Sequence, residues 1–198
     1  MNPWFTMWTR PRQTIRTLLH AKFKISMYSL AALYALQGFF YYANYDSAGI
    51  SFPFYVILIG ALILCPFLGF IWIHFSSWIF HFTGRWLEGK APRSHLQVAI
   101  VWSKIPILIN LFLWLVFLIA YPNYVFILDA GGLSSVFMNL CSLISSIWSL
   151  VLLIQSLREV QSFSISRSIF NIFLAWIIFS GLIIVLLFVF RYFYILVA

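Results

Sequence analysis

Five stretches of the chain, 25–42, 54–82, 98–120, 135–157 and 169–194, are long, apolar and nearly free of charge. A bilayer core about 30 Å thick is crossed by ~20 residues at helical rise, so each stretch is near the length of one passage. Lipid offers no partner for backbone N–H and C=O groups, which leaves helices and closed barrels as the only spanning structures. The stretches are too long for barrel strands and show no alternation of period two. The sequence therefore predicts an all-α membrane protein, a bundle of five transmembrane helices over residues 25–198. The second stretch exceeds the hydrocarbon thickness and is expected to tilt or to project beyond it.

Charge supports this and sets an orientation. Only 8% of the 198 residues are charged, against about 25% in a soluble domain. A net charge of +8 would suggest nucleic acid in a soluble chain; here the placement of the charges argues against such a partner. Lys and Arg accumulate in cytoplasmic loops. Arg10, Arg12, Arg16, Lys22 and Lys24 precede the first stretch; Arg85, Lys90 and Arg93 separate the second from the third; Arg158 and Arg167 separate the fourth from the fifth. With Lys104 just inside the third stretch, eleven of twelve basic residues fall on one side, and Arg191 is the exception. The loops at 43–53 and 121–134 carry only Asp46 and Asp129. The N-terminus is thus expected in the cytoplasm and the C-terminus outside, in a bacterial inner membrane, with no secretory leader. Cys65 and Cys141 lie in apolar stretches and read as small buried hydrophobes.

Residues 1–24 form a separate cytoplasmic segment. Pro11 suits the first position of a helix. Ile15, Leu18, Leu19 and Phe23 then recur at helical spacing, with Arg12 and Arg16 on another face. This predicts a short N-terminal amphipathic helix, either lying on the inner leaflet or acting only as a topology signal.

Few residues suggest chemistry. His74, Ser77 and His81 can share one helical face, but no carboxylate in that stretch could orient a histidine. The two histidines lie ~10 Å apart along the axis, too far to share one metal ion. They read as an interfacial polar face, and no catalytic residue, cofactor or metal is expected. Pro66 should kink its helix by freeing the Leu62 carbonyl; a carbonyl ligand for an ion is the alternative.

Ser135, Asn139, Ser142, Ser146 and Ser149 step by four and three along the fourth stretch, with Ser145 adjacent and Ser156 beyond. Such a stripe lets membrane helices approach closely, and a hydrophilic pathway would use the same residue types. Packing is favoured because the stripe has no ionisable group, so Ser146→Leu should disrupt and Ser146→Ala should not. Ion-coupled carriers place carboxylates or paired charges at mid-membrane; here all four acidic residues fall in loops or at helix ends. A passive channel, lipid scramblase or small-solute permease stays open as the alternative.

The polar hairpin "LREVQSFSISRSIF" at 157–170 joins the last two stretches. Ser164 is a good N-cap, which puts Arg167 in the positive first turn of one helix and Glu159 at the negative end of the other. The mismatch predicts a basic partner for Glu159, either Arg167 across the hairpin or Lys104 at the end of the third stretch.

Three segments, "NPWFTMWTRPRQTIR", "HFTGRWLEGKAPRSHLQVAIVWSKIP" and "LREVQSFSISRSIFNIFLA", together resemble the Yip-one domain family, the Ypt/Rab-interacting five-span membrane proteins. The resemblance runs from residue 2 to about residue 175. The first segment is similar to the family's asparagine–proline–aromatic entry and the basic helix led by Pro11. The second puts Gly84, Gly89, Trp102, Ser103 and Pro106 at the family's inner loop and third span. The third resembles the hairpin of prokaryotic members and marks Arg158, Glu159, Gln161, Ser164 and Arg167. Eukaryotic members are associated with prenylated Rab GTPases; this chain lacks their Asp-Leu-Tyr-Gly-Pro signature. The resemblance implies a membrane-organising or trafficking-like component in the lipid bilayer, with a protein partner at its cytoplasmic face and no bar to a homo-oligomer.

Reporters fused to the two ends should respond in opposite compartments, the N-terminal one in the cytoplasm. Both ends in one compartment would mean that one stretch does not cross.

Overall fold

The computed structural model describes residues 2–20, 24–128 and 132–197. Lys22, Phe23 and Asp129 lie outside them. Among the described residues the chain is helical, with α1 Pro3–Thr9, α2 Pro11–His20, α3 Lys24–Tyr45, α4 Phe54–Trp86, α5 Arg93–Ser103, α6 Ile107–Ala120, α7 Leu133–Gln161 and α8 Ile165–Val197.

The entry follows local rules. The Asn2 side chain accepts the Trp4 N–H at 3.1 Å and Pro3 opens α1. Pro11 then starts α2. This helix does not lie free on a leaflet: Ile15 and Leu18 are fully or nearly fully buried, packed in one cluster with Leu30 and Ala31 of α3 and Trp102 of α5. The apolar face expected to meet lipid meets protein instead.

The tightest helix pair is α3 with α4. Ala61, Cys65, Gly69, Ile73 and Ser77 recur every four residues on α4 and are all buried. A Cβ on Gly69 would fall 2.5 Å from the Ala31 carbonyl oxygen. Hydrophobic attraction between helices is absent in lipid, so small residues that let backbones touch hold such pairs together. The α4 helix continues through Pro66.

The stretch at 98–120 does not form one straight helix. Between α5 and α6 the axis turns by 50°. Pro106 lacks an N–H and its ring crowds the carbonyl of Trp102. The freed carbonyl accepts instead from the Ile105 N–H, a bond one residue shorter, at 3.4 Å.

Among the described residues three helices, α4, α7 and α8, are long and apolar enough to cross a membrane, and α5 with α6 makes a fourth if the bent pair is one passage. The fifth expected span, α3, has 22 residues, about 33 Å of helix, but Tyr28, Tyr34, Gln37, Tyr41 and Tyr42 dilute its apolarity.

The stripe on α7 is shifted in register. Ser145, Ser149 and Ser156 are buried beside Leu152, whereas Ser146 and Asn139 are exposed and Ser135 and Ser142 half-buried. A repeat of four and three averages 3.5 residues, and a straight helix of 3.6 drifts away from it. Leucine at position 146 would therefore join the exposed apolar surface rather than wedge helices apart.

Gly69→Ala should lower thermal stability by about 1–3 kcal/mol, as overpacking at a close contact does. Gly60→Ala, where a Cβ meets nothing within 4 Å, should be silent. Equal melting of both variants in detergent would remove the α3–α4 contact from this account.

Candidate functional site

The three segments that carry the family resemblance converge at one end of the bundle. Glu159, near the end of α7, receives two arginines from α2. Arg12 Nε lies 3.1 Å from Oε2, and Arg16 Nη2 lies 2.7 Å from Oε1. The Glu159 side chain is only 9% exposed, against 49% and 69% for the two arginines. Glu159 thus has basic partners, but neither expected one. Arg167 Nη1 reaches Glu88 instead, at 3.2 Å. Lys104 places its Nζ 4.9 Å from the centre of the Trp72 ring.

Below this clamp lies a buried amide cluster. Gln161 ends α7 with its side chain pressed between Gly84 and Gly89; a Cβ on either glycine would collide with its amide. The same Cβ on Gly84 would stand 3.1 Å from Asn171 Nδ2. Thr83 has one hydroxyl proton and gives it to the Ile79 carbonyl at 2.9 Å, while its Oγ1 lies 3.3 Å from the Asn171 amide. Gln161 Nε2 and Asn171 Nδ2 are both buried without a partner. Turning the Asn171 amide over directs its NH2 to Thr83 Oγ1. Amide orientation is decided by such networks, and this one gives Asn171 Nδ2 an acceptor.

Neighbouring motif residues complete the junction. Pro11 opens α2. Trp102 stacks edge-on against Trp4 with centroids 5.6 Å apart, and buried Ser103 donates to the Ile100 carbonyl at 2.8 Å. Ser164 accepts the Arg167 N–H at 3.3 Å, the N-cap bond of α8. Arg158 Nη1 donates to Gln155 Oε1 at 2.9 Å. Pro106 stands apart, at the bend between α5 and α6. His74, Ser77 and His81 do not assemble: His74 bonds the Phe70 carbonyl on an exposed face, Ser77 is buried and donates to the His74 carbonyl, and His81 contacts the Ala91 carbonyl. Among the described residues no cluster of His, Cys, Asp or Glu could hold a metal ion.

The opposite end is built from the loops poor in Lys and Arg. Asn44 Nδ2 donates to the Val125 and Ile127 carbonyls at 3.0 and 3.2 Å, and the Gly49 N–H to Phe126 at 2.9 Å. A cavity of about 400 Å³ opens there, lined by Tyr41, Asn44, Trp114, Tyr124, Ser135 and Asn139 among others. Ser135 and Asn139, the outer members of the stripe, therefore face this cavity, while Ser145, Ser149 and Ser156 are buried.

Sequence reasoning missed the arginine clamp, the glycine cradle and the role of Asn171. The dipole mismatch at Glu159 called for a cation, and Arg12 and Arg16, one turn apart, were the cations spaced to grip one carboxylate.

The distribution of polarity defines the class. Ser77, Thr83, Ser103, Asn110, Gln161 and Asn171 are buried, while Leu62, Phe67, Ile71, Leu143, Ile147 and Leu187 are exposed. A bundle with polar side chains inside and large apolar ones outside is a multi-pass helical membrane protein. The chain belongs to the Yip1 domain family, whose model matches residues 5–189 and so covers Arg12, Arg16, Gly84, Gly89, Glu159 and Gln161. No curated protein and no solved structure matches the chain.

Gly89→Ala should displace Gln161 and lower the melting temperature, and adding Gln161→Ala should recover part of the loss, because the smaller side chain leaves room for the new Cβ. Additive losses would mean that the two residues do not share the cradle.

Proposed function

We propose that this protein is a membrane-organising, partner-binding component that crosses a bacterial inner membrane five times, with its N-terminus in the cytoplasm. Two features support the fifth crossing. The α3 helix contributes Leu30 and Ala31 to the core at the basic end and Phe40 and Ala43 to the core at the other end. The loops that precede α4 and follow α6 are hydrogen-bonded to each other, as loops on one side would be.

The observation that carries the partner-binding reading is the docked N-terminal pair. Its arginines are fixed to the bundle by Glu159 yet remain half or more exposed, and Arg85, Lys90, Arg93 and Arg167 are exposed at the same end. A rigid basic surface steers and orients an acidic partner. Among the described residues no cluster of His, Cys, Asp or Glu that could hold a metal ion accompanies it, and the proposed role is non-enzymatic.

The cavity at the opposite end favours a second reading, passage of lipid or a small solute. Reconstituted liposomes separate the two. Under the proposal they move neither labelled lipid nor solute, and a photo-crosslinker at position 93 in native membranes captures a discrete protein. Charge reversal, Arg85→Glu with Lys90→Glu, should abolish that capture. Transport by the liposomes, or capture indifferent to the reversal, would overturn the proposal.

A further inference from the structure

Trp8, Arg10 and Arg12 face Trp148, Val151 and Gln155 of α7 across an open groove of about 380 Å³. The groove is polar at one end and apolar at the other. From Gln155 to Trp148 the α7 wall runs ~10 Å along the helix axis, from an amide to exposed apolar surface. Because α7 ends at the basic junction, the apolar half lies deeper in the membrane than the polar half. That is the order of tail and head in a lipid of the leaflet at the basic end.

The polar half offers donors and few acceptors. Gln155 Oε1 is occupied by Arg158 Nη1, which leaves the Gln155 NH2 as the free end of the amide. Arg12 meets Glu159 through Nε, so its terminal N–H groups remain available. Among the described residues Arg10 makes no ion pair, and the nearby carboxylate, Glu159, is held by Arg12 and Arg16. Several donors lining one groove match an anion with several acceptor oxygens, and guanidinium groups match phosphate in particular. The apolar wall matches an acyl chain, and tryptophans are at home where chain meets headgroup.

We propose that the groove is a binding site for one anionic glycerophospholipid, its phosphodiester held by Arg10, Arg12 and the Gln155 amide and one acyl chain lying along Val151 and Trp148. The site goes beyond the partner-binding reading and holds in whichever leaflet the basic end occupies. A lipid there would bridge α2 and α7 beside the Glu159 clamp.

Native mass spectrometry of the delipidated full chain, titrated with phosphatidylglycerol or with phosphatidylcholine of the same chains, tests this directly. The wild type should retain phosphatidylglycerol at least about five-fold more strongly, the factor that one basic residue contributes near an anionic lipid. Arg10→Gln with Gln155→Leu keeps the Glu159 clamp and Arg12, and should cut that preference by about five-fold. Val151→Trp should weaken both by filling the apolar half, and Arg191→Gln, far from the groove, should change neither. Equal retention by the wild type would overturn the proposal. So would a preference unchanged in Arg10→Gln/Gln155→Leu, and so would displacement of the lipid by excess glycerol 3-phosphate, which would assign the groove to a soluble phosphate ester.

Discussion

One carboxylate holds the basic end of this protein together. Glu159 is largely withdrawn from solvent and receives arginines that lie more than 140 residues earlier in the chain. A buried carboxylate without its cations would be strongly destabilising, whereas the intact pair adds little net stability. Its effect is geometric. It fixes the N-terminal helices on α7 and α5, and so decides where Arg10, Arg12 and Arg16 point. The surface proposed for a partner and the groove proposed for a lipid both depend on that placement.

Elsewhere the bundle relies on contacts that remain effective without water. Apolar side chains gain nothing by leaving lipid for one another, so helix pairing rests on close backbone approach and on internal hydrogen bonds. The α3–α4 pair uses the first device, with Gly69 against Ala31. The second is used by α4, α7 and α8, which meet at Thr83, Gln161 and Asn171. There the two glycines shape a slot that admits a glutamine amide and nothing larger. The resulting division is simple: a polar junction at one end, and a cavity bordered by aromatic residues at the other.

Much of this was legible in the sequence, and the limits have physical causes. Helical class and membrane embedding follow from apolar stretches that only a helix can carry through lipid. The gathering of basic residues at one end was legible too, because charge placement is a local property. The number of spans was less so: Pro106 turns one apolar stretch into two helices, and the tyrosines of α3 weaken another. Spacing alone named α7 as the small-residue helix, but a repeat of 3.5 cannot fix which face is buried, and the four-residue series of Ala61, Cys65 and Gly69 went unread. At the junction the dipole mismatch told that Glu159 needs a cation. It could not tell which, because the partners approach through the fold rather than along the chain. The family resemblance marked Gln161, Gly84 and Gly89 as motif residues; only the structure brings the glutamine and the two glycines into one contact.

The central claim is that the N-terminal helices belong to the bundle. Hydrogen exchange of the full chain in lipid nanodiscs measures this most directly. The account predicts that the amides of residues 14–19 in α2 exchange as slowly as those of 96–102 in α5, because Ile15 and Leu18 share one buried cluster with Trp102. Rapid exchange across 14–19, with protection confined to the helices that follow, would contradict it.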